Sequence, residues 1–408
     1  MVSERKELHT FVELLEKYQH LLPRHKSRQT RLVLKSIGQQ IAASYSAAQK
    51  QMQTLDIRSR SIENVSQIPF TDNMRDSHFM ANELLEIVST ESYGEWSCST
   101  VIHHGKQRLR LNISVIGVSL RTKKESNAWV NDTMLRILIS VFLMLELAGP
   151  GKANQLGLYY FDVSEKKFMP SRGREFTPLH INSAYSDVFT TTPNIVIFRR
   201  EEWQKVLIHE LIHAFGAGLE MHDVSMIEKH MHTAYELQID YMPVESYAEA
   251  WGRILVTCLT AYDCCKRVDS KYIENAFVLL DINAMYSIWS ASRVLWNWEL
   301  SYEDLIDKVP QAKVYTESTS AFAYFIGTSV LLSNWSSFIA MCAANNKPVV
   351  RFDSAYKSML IYSTFLLATA KSDDYLLLQE GLRKVTITRN DTGIKMNLFT
   401  GVCNWQMR

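Results

Sequence analysis

The stretch Val206-Leu-Ile-His-Glu-Leu-Ile-His-Ala-Phe-Gly216 decides the fold assignment, because it contains the pattern His-Glu-x-x-His. In a helix, positions four residues apart lie on one face, so His209 and His213 can direct ring nitrogens at one metal ion. Glu210 stands beside them, where its carboxylate can accept a proton from a water molecule bound to that ion. The segment therefore predicts a helix with a metal site that still lacks a third protein ligand.

The residues around this pattern favour a helix that follows a strand. Glu201 and Glu202 fall where the first turn is expected, which suits the helix dipole, and apolar residues recur at helical spacing after them. Gly216 and Gly218 follow at the position where helices commonly end. The preceding segment 194–198, Asn-Ile-Val-Ile-Phe, has the composition of a β-strand. We therefore expect a strand, a helix and a glycine break in that order.

The third ligand is expected further along the chain, where Glu245 and Glu249 are four residues apart and share a helix face. A histidine at position 219 would complete a longer three-histidine pattern, but that position is Leu219. The combination of His-Glu-x-x-His with a downstream Glu-x-x-x-Glu resembles the gluzincin family of zinc metallopeptidases. The resemblance implies that Glu245 is the third zinc ligand and that Glu249 orients a ligand histidine.

Two features leave the roles of these glutamates open. Gluzincins commonly have Asp where this chain has Glu249, and the longer side chain changes the reach of the carboxylate. The roles of Glu245 and Glu249 can also be exchanged. The interval between His213 and Glu245 is longer than in compact gluzincins, so we expect an inserted loop or short helix there. Within this interval His222 is the alternative metal ligand, and the other candidates are Glu220, Asp223, His230 and His232.

Composition indicates a globular chain with balanced charge. Its 408 residues include 47% hydrophobic and 21% charged residues, which is enough to bury a large core. The formal net charge of +1 makes no strong electrostatic case for nucleic acid or an anionic membrane as the main partner, so no nucleic acid is expected. The six cysteines include no Cys-x-x-Cys pair, and the first residues contain no apolar core of a secretory signal. Both observations favour a reducing, intracellular (cytoplasmic) location.

One uncharged segment, residues 318–346, is long enough to suggest a membrane span. Its central part, 321–340, reaches the length of about 20 residues that crosses a bilayer, but it contains Asn and many Ser and Thr residues, which are costly in lipid. We therefore expect a buried core helix, with a membrane-associated protein anchored by 321–340 as an alternative. A second apolar run, 134–148, contains Arg136 and Glu146 and is interpreted as an amphipathic core helix.

The order of patterns predicts an α+β protein that is predominantly α-helical. Residues 1–90 are expected to form a helical N-terminal region, with apolar residues at helical spacing in 11–22 and 32–52. Residues 91–260 combine a mixed sheet with the His-Glu-x-x-His and glutamate helices, which is the order of a zincin-like core. Residues 261–408 are expected to form a helical C-terminal subdomain. Further predicted elements are strands at 96–103, 109–118 and 156–163, a helix at 134–147 and a strand-like tail at 384–388.

The resemblance to gluzincins implies a zinc-dependent metallopeptidase, a hydrolase whose partner is a protein or peptide substrate. It implies that His209, His213 and Glu245 bind Zn²⁺, and that Glu210 acts as general base on the zinc-bound water. The alternative from another class is a noncatalytic zinc-binding structural or interaction protein. More loosely, residues 198–213 together with the Glu245 helix are similar to metallopeptidase-like proteins of large DNA viruses. That similarity implies a virion or an infected host cell as the setting.

Two further expectations concern the substrate and the transition state. The strand at 195–198 is predicted to be an edge strand, on which an extended peptide adds as a further strand. A tetrahedral intermediate carries an oxyanion, which such enzymes stabilise with Tyr, His or Arg. Sequence spacing selects none of the candidates, which are His180, Tyr185, Tyr235, Tyr241, Tyr247 and Arg253.

Overall fold

Helices packed on a mixed β-sheet make the chain an α+β protein, as the order of sequence patterns predicts. The structure is a computed structural model that describes residues 16–22, 27–63, 77–90, 93–118, 123–188, 190–219 and 224–390. It is 60% helical, which confirms the predominantly helical class, and it contains a six-stranded mixed sheet.

The sheet combines an antiparallel half with a parallel half. Its strands are β1 (Arg58–Ile62), β2 (Tyr93–His104), β3 (Gln107–Val118), β4 (Gln155–Phe161), β5 (Ala184–Ser186) and β6 (Asn194–Ile197). They lie in the order β1-β2-β3-β4-β6-β5. Strands β1, β2 and β3 are antiparallel, β3, β4 and β6 are parallel, and β5 pairs antiparallel with β6. The predicted strands are thereby confirmed as β2, β3, β4 and β6.

Helices alternate with strands in the N-terminal half of the chain, and most helices lie in the C-terminal half. They are α1 (Arg28–Met52), α2 (Asn82–Thr90), α3 (Lys123–Leu147), α4 (Pro178–Ile181), α5 (Trp203–Ala214), α6 (Ser225–Tyr235), α7 (Pro243–Cys265), α8 (Ser270–Asn297), α9 (Tyr302–Ile306), α10 (Thr328–Ser333), α11 (Trp335–Asn345), α12 (Tyr356–Ala370) and α13 (Asp373–Asn390). A π-helical turn, Phe322–Gly327, runs directly into α10.

The two faces of the sheet contribute to different core clusters, because successive side chains of a strand point to opposite sides. On one face, side chains such as Ile113 join the main core, which the helices complete. On the other face, Ile116 and Phe161 join a smaller cluster with Leu84 of α2. The main core contains buried residues from all three ranges that the sequence separates, 1–90, 91–260 and 261–408, and α1 packs against α3 and α7. The division into those ranges stays a prediction.

Two predictions of local structure are wrong. Residues 1–90 were expected to be helical, but 58–62 form β1, whose sequence Arg-Ser-Arg-Ser-Ile carries little strand signal. Pairing with β2, from Arg58 with Ser97 to Ile62 with Tyr93, makes it a strand. The strand-like tail at 384–388 lies within α13, because a helix that is already nucleated extends at low cost through weak helix formers.

The edge of the sheet nearest α5 is β5, so the prediction that residues 195–198 form an edge strand is wrong. Strand β6 lies between β4 and β5. Residues 184–186 are too few to stand out in the sequence, and they become a strand because Tyr185 pairs with Val196. Among the described residues, no further strand pairs with the outer side of β5.

The uncharged segment 321–340 is buried, but it does not form one helix. It contains the π-helical turn, α10 and the first part of α11. The two helical stretches are bent by 88° at their junction, where Asn334 stands between them. In the described part of the chain, one helix, Glu125–Leu147, has the length and composition of a membrane span, and 61% of its most apolar window is buried. That helix lies in α3, where the sequence predicts a core helix.

Candidate metal centre

Helix α5 holds the His-Glu-x-x-His pattern and ends where the sequence predicts. It starts at Trp203, directly after Glu202, whose backbone is left-handed with a φ of 53°. Beyond its end, Gly216 has a φ of 55°, a conformation that glycine adopts without steric cost. Glu201 and Glu202 were expected in the first turn but precede it. The Glu201 carboxylate accepts a hydrogen bond from the main-chain N–H of Lys167, and the Glu202 carboxylate forms an ion pair with the Lys167 side chain.

Helix α7 crosses α5 at close range and brings the two glutamates to the histidines. Gly252 lies at the crossing, where a β-carbon would stand 3.3 Å from the carbonyl oxygen of Lys205 and 3.5 Å from the β-carbon of His209. The missing side chain therefore permits the close approach. Helix α6 occupies part of the interval between His213 and Glu245, where a loop or short helix was expected.

Three side chains meet beside this crossing, and they could hold a metal ion. Nε2 of His209 lies 3.1 Å from Nε2 of His213 and 3.1 Å from Oε2 of Glu245. The third separation, from Nε2 of His213 to Oε2 of Glu245, is 3.4 Å. Zinc–ligand bonds of about 2.0–2.2 Å at tetrahedral angles place neighbouring ligand atoms about 3.4 Å apart. The three atoms therefore have nearly the spacing that one tetrahedral ion requires.

The charges of these ligand groups follow from burial and from their neighbours. Burial lowers the pKa of His209, but hydrogen bonds with Glu245 and Glu249 outweigh it and raise that pKa to about 10. Burial raises the pKa of Glu245, while the charge of His213 and hydrogen bonds from both histidines bring it far below its usual range. Glu245 is thus an anion at neutral pH, and a metal ion has to displace a proton from His209.

Glu249, one turn further along α7, lies behind His209. Its Oε2 is 3.3 Å from Nδ1 of His209, the ring nitrogen that faces away from the other ligand atoms. Nζ of Lys205 donates to both carboxylate oxygens at 2.8 Å, and Nε of Arg253 donates to Oε1 at 2.8 Å. Burial raises the pKa of Glu249, but these cations hold it well below its usual range. An ionised carboxylate in this place can orient the His209 ring.

Lys205 connects the site to a buried charge network at the start of α5. Its Nζ is also 3.2 Å from Glu202, and Glu202 forms an ion pair with Lys167. Lys167, Glu202, Lys205, Glu249 and Arg253 are all buried. The opposite charges compensate one another, because a buried ion without a partner costs several kcal/mol. The sequence holds one overlooked signal for this network: Lys205, His209 and His213 follow at four-residue spacing on one helix face.

Glu210 faces the edge of the sheet. Its carboxylate is buried, and Oγ of Ser186 in β5 donates a hydrogen bond of 2.7 Å to its Oε2. This bond ties the carboxylate to the edge strand. Sequence reasoning missed Ser186, since β5 is too short to be recognised from its three residues.

Tyr324 is the second residue that sequence reasoning missed. It lies in the π-helical turn, its ring centroid is 5.9 Å from that of His209, and the charge of the Glu245 carboxylate acts on its phenol. Burial, followed by the charges of Glu245 and Glu210, raises its pKa well above the usual value, so the phenol keeps its proton. Single π-helical turns occur frequently at functional sites. The sequence offered only the uncharged character of this segment, which was interpreted as core.

The remaining candidates lie elsewhere. The alternative ligand His222 lies outside the described residues, together with Glu220 and Asp223. His230 hydrogen-bonds to Ser363, and neither it nor His232 belongs to the metal-binding group. Most proposed oxyanion residues have other partners: Tyr235 bonds Tyr302, Tyr241 bonds Leu237, Tyr247 bonds Val350, His180 bonds Thr177 and Arg253 bonds Glu249. Tyr185 contacts the smaller core cluster.

Comparisons with known proteins give no match, whether with family models, with curated proteins or with solved structures.

Proposed function

We propose that this chain is a zinc-dependent peptidase in which His209, His213 and Glu245 bind the metal ion. The observation that carries the proposal is the near-tetrahedral spacing of their three ligand atoms. Glu210 follows His209 directly in α5, and its charge acts on the His209 ring. Two imidazole nitrogens and one carboxylate oxygen form a donor set that suits zinc, and the fourth position is left for water or substrate. This combination is typical of hydrolytic rather than purely structural zinc sites.

Glu210 is the general base in this proposal. When bound, zinc supplies a Lewis acid that polarises the scissile carbonyl and acidifies water. Glu210 takes the proton from the attacking water and passes it to the leaving amine. The hydrogen bond from Ser186 to its Oε2 supports this role, because it holds the carboxylate in one orientation.

Tyr324 and Glu249 act around the reacting atoms. We assign to Tyr324 the stabilisation of the oxyanion, because its phenol is protonated and lies beside the ligand group. Glu249 orients His209 through Nδ1, which leaves Nε2 free to face the ion. Lys205 and Arg253 keep Glu249 ionised and in place.

An extended peptide is the substrate form that the sheet edge favours. In the β5–β6 pair, the amide N–H of Asp187 and the carbonyl of Ser183 face β6. By alternation, the main-chain groups of Ala184 and Ser186 face the outer side, where a substrate strand can pair with them. Because Ser186 also contacts Glu210, such a strand would run past the general base.

The proposal is tested by zinc content and turnover together. We expect about one zinc per chain in the wild type, in Glu210→Gln and in His222→Ala, and none in His213→Ala, measured by elemental analysis after reconstitution. On a peptide library, Glu210→Gln should lose roughly 10²–10⁴-fold in kcat.

Three results would contradict the proposal at different steps. A folded wild type without zinc would remove the metal site. Unchanged turnover in Glu210→Gln would remove its role as general base. A wild type that binds zinc but cleaves no peptide would favour the noncatalytic zinc-binding protein.

A further inference from the structure

A small cavity lies beside Glu210 and His209. Its volume is about 30 Å³, and Tyr324 also lines it. One water molecule needs a cavity of roughly 10–15 Å³ by this measure, so about two to three small heavy atoms fit. A carboxylate group has three. The cavity is therefore large enough for the end of a short side chain that enters from the reaction centre.

Three buried cations form part of the wall of this cavity: Lys167, Lys205 and Arg253. Their carboxylate partners are Glu202, which binds both lysines, and Glu249, which binds Lys205 and Arg253. Three cations thus face two carboxylates in this group. The remaining acidic group on the wall is Glu210, which accepts the hydrogen bond from Ser186.

Arg199, which is fully buried, adds a fourth cation behind the same wall. Its Nε donates to the carbonyl oxygen of Asn182 at 2.9 Å, and its guanidinium also binds the carbonyl of Leu179. Both partners are main-chain groups, and the charges of Glu201, Glu165 and Glu202 also act on this guanidinium. Arg199 is therefore compensated by nearby carboxylates, so the polar groups of the wall itself decide what the cavity can bind.

Two polar groups of the wall lack a partner within the described part of the chain. They are Nη1 of Arg253 and Oγ of Ser183, and both residues are at least nine-tenths buried. A buried donor without an acceptor costs free energy that a suitable ligand recovers. A carboxylate can accept from both donors at once, whereas an apolar side chain satisfies neither.

We propose that this cavity is a specificity pocket for an acidic side chain, Asp or Glu, that flanks the scissile bond of the substrate. The inference rests on the proposed peptidase function and adds the class of substrate. The carboxylate enters past Glu210 and accepts hydrogen bonds from the unpartnered donors of Arg253 and Ser183. Apolar wall residues such as Val206 contact the methylene groups of the same side chain.

A matched pair of substitutions tests the cavity without any need for turnover. Ser183→Asp places a carboxylate inside the cavity, and Ser183→Asn places a neutral amide of nearly the same size there. The Ser183 carbonyl accepts from the amide of Phe198 at 2.9 Å, so the backbone is held in both variants. We expect Ser183→Asp to melt at a higher temperature than Ser183→Asn at pH 7. An equal or lower melting temperature of Ser183→Asp would overturn the proposal.

Cleavage of peptides tests the same cavity in the active enzyme. From a peptide library, wild-type cleavage sites should be enriched in Asp or Glu at one position that flanks the cut. For two synthetic peptides that differ only by Asp or Asn at that position, we expect roughly tenfold higher kcat/KM for Asp. Ser183→Asp, which carries its own carboxylate, should lose this preference, and Ser183→Ala should keep part of it.

The two experiments separate failure of this inference from failure of the proposed function. Absence of all cleavage, together with a more stable Ser183→Asp variant, would contradict the peptidase and leave the anion-binding cavity in place. Cleavage with apolar enrichment at every flanking position, or equal kcat/KM for the Asp and Asn peptides, would overturn the specificity pocket and leave the peptidase. In that case the cavity holds water only.

Discussion

Each end of the α5–α7 crossing contains a glutamate of α7, but the two glutamates face different partners. At the ligand end, formed by His209, His213 and Glu245, the carboxylate faces two imidazoles and its side chain is 17% exposed. At the anchor end, formed by Lys205, Glu249 and Arg253, the carboxylate is held by two cations and its side chain is 4% exposed. Both carboxylates belong to glutamates one turn apart on α7. Their neighbours, rather than their residue type, decide which one is available to a metal ion.

The largest expected effect comes from the same substitution made at each end. Glu249→Gln leaves Lys205 and Arg253 facing an uncharged group in a buried site, which we expect to destabilise the metal-free protein by about 3–5 kcal/mol. Glu245→Gln removes a zinc ligand, but the metal-free protein should lose less free energy of unfolding, because its partners are imidazoles that can release a proton. Denaturant unfolding in the presence of a chelator measures both.

Zinc binding by the same two variants is the control for this comparison. Glu245→Gln should lose zinc binding almost completely, while Glu249→Gln should weaken it by roughly 10- to 100-fold, as expected when the partner of a ligand histidine is removed. An equal loss of stability in the two variants, or a larger one in Glu245→Gln, would contradict the distinction between the ligand and anchor ends.

The second prediction concerns His209, which belongs to both ends through its two ring nitrogens. Its pKa is raised to about 10 in the folded, metal-free protein, above the value of about 6.5 expected when unfolded. The folded state therefore binds this proton more tightly. The resulting stabilisation is complete below about pH 6.5 and is lost as the pH rises through about 10. Between pH 7 and pH 9 we expect the free energy of unfolding to fall by about 2–3 kcal/mol.

The measurement is denaturant unfolding of metal-free protein at several pH values, with His209→Asn as the control. The decrease should be absent or much smaller in the control, and a decrease of equal size there would assign the titration to another group. Because zinc takes the place of the proton, zinc uptake at pH 8 should release about one proton, which a weakly buffered titration detects.

The smallest effect is expected at Ser186, which approaches the ligand end from the edge strand. Ser186→Ala removes the hydrogen bond to Glu210, and we expect kcat to fall roughly tenfold, as for the loss of one hydrogen bond to a charged group. Zinc content and stability should stay nearly unchanged, because Ser186 contacts neither the ligand atoms nor the anchor end. Ser186→Thr keeps a hydroxyl and should restore most of kcat. A fall in zinc content in Ser186→Ala would show that the residue supports the metal site instead.

The helical part of the candidate site could be predicted from the sequence because it depends on local geometry. A spacing of four residues places His209 beside His213 on one helix, and it places Glu245 and Glu249 on one face of another. The apolar residues around the pattern and Gly216 locate the end of the first helix, because helix termination also depends on local backbone conformation. These relations hold wherever a helix forms, so they do not depend on the rest of the chain.

The other residues of the candidate site come from distant parts of the chain, and no spacing pattern in the sequence predicts them. Tyr324 reaches the site from the π-helical turn, and Lys167 reaches it from the loop after β4. Ser186 lies in a strand that exists only because β6 is present to pair with it. Strand β1 and the tail at 384–388 were assigned wrongly for a related reason, since pairing and helix extension outweigh the preferences of a few residues.

The sequence by itself determined the class of the fold, the four strands with clear apolar patterns, and a pair of helices able to present histidines and glutamates to one ion. The difference between a ligand carboxylate and an anchor carboxylate was decided only by the tertiary structure. It depends on which cations are brought against each glutamate, and on the close approach that Gly252 permits between α5 and α7. Electrostatic interactions act through space and strengthen as water is excluded, so burial and packing settle what residue spacing leaves open.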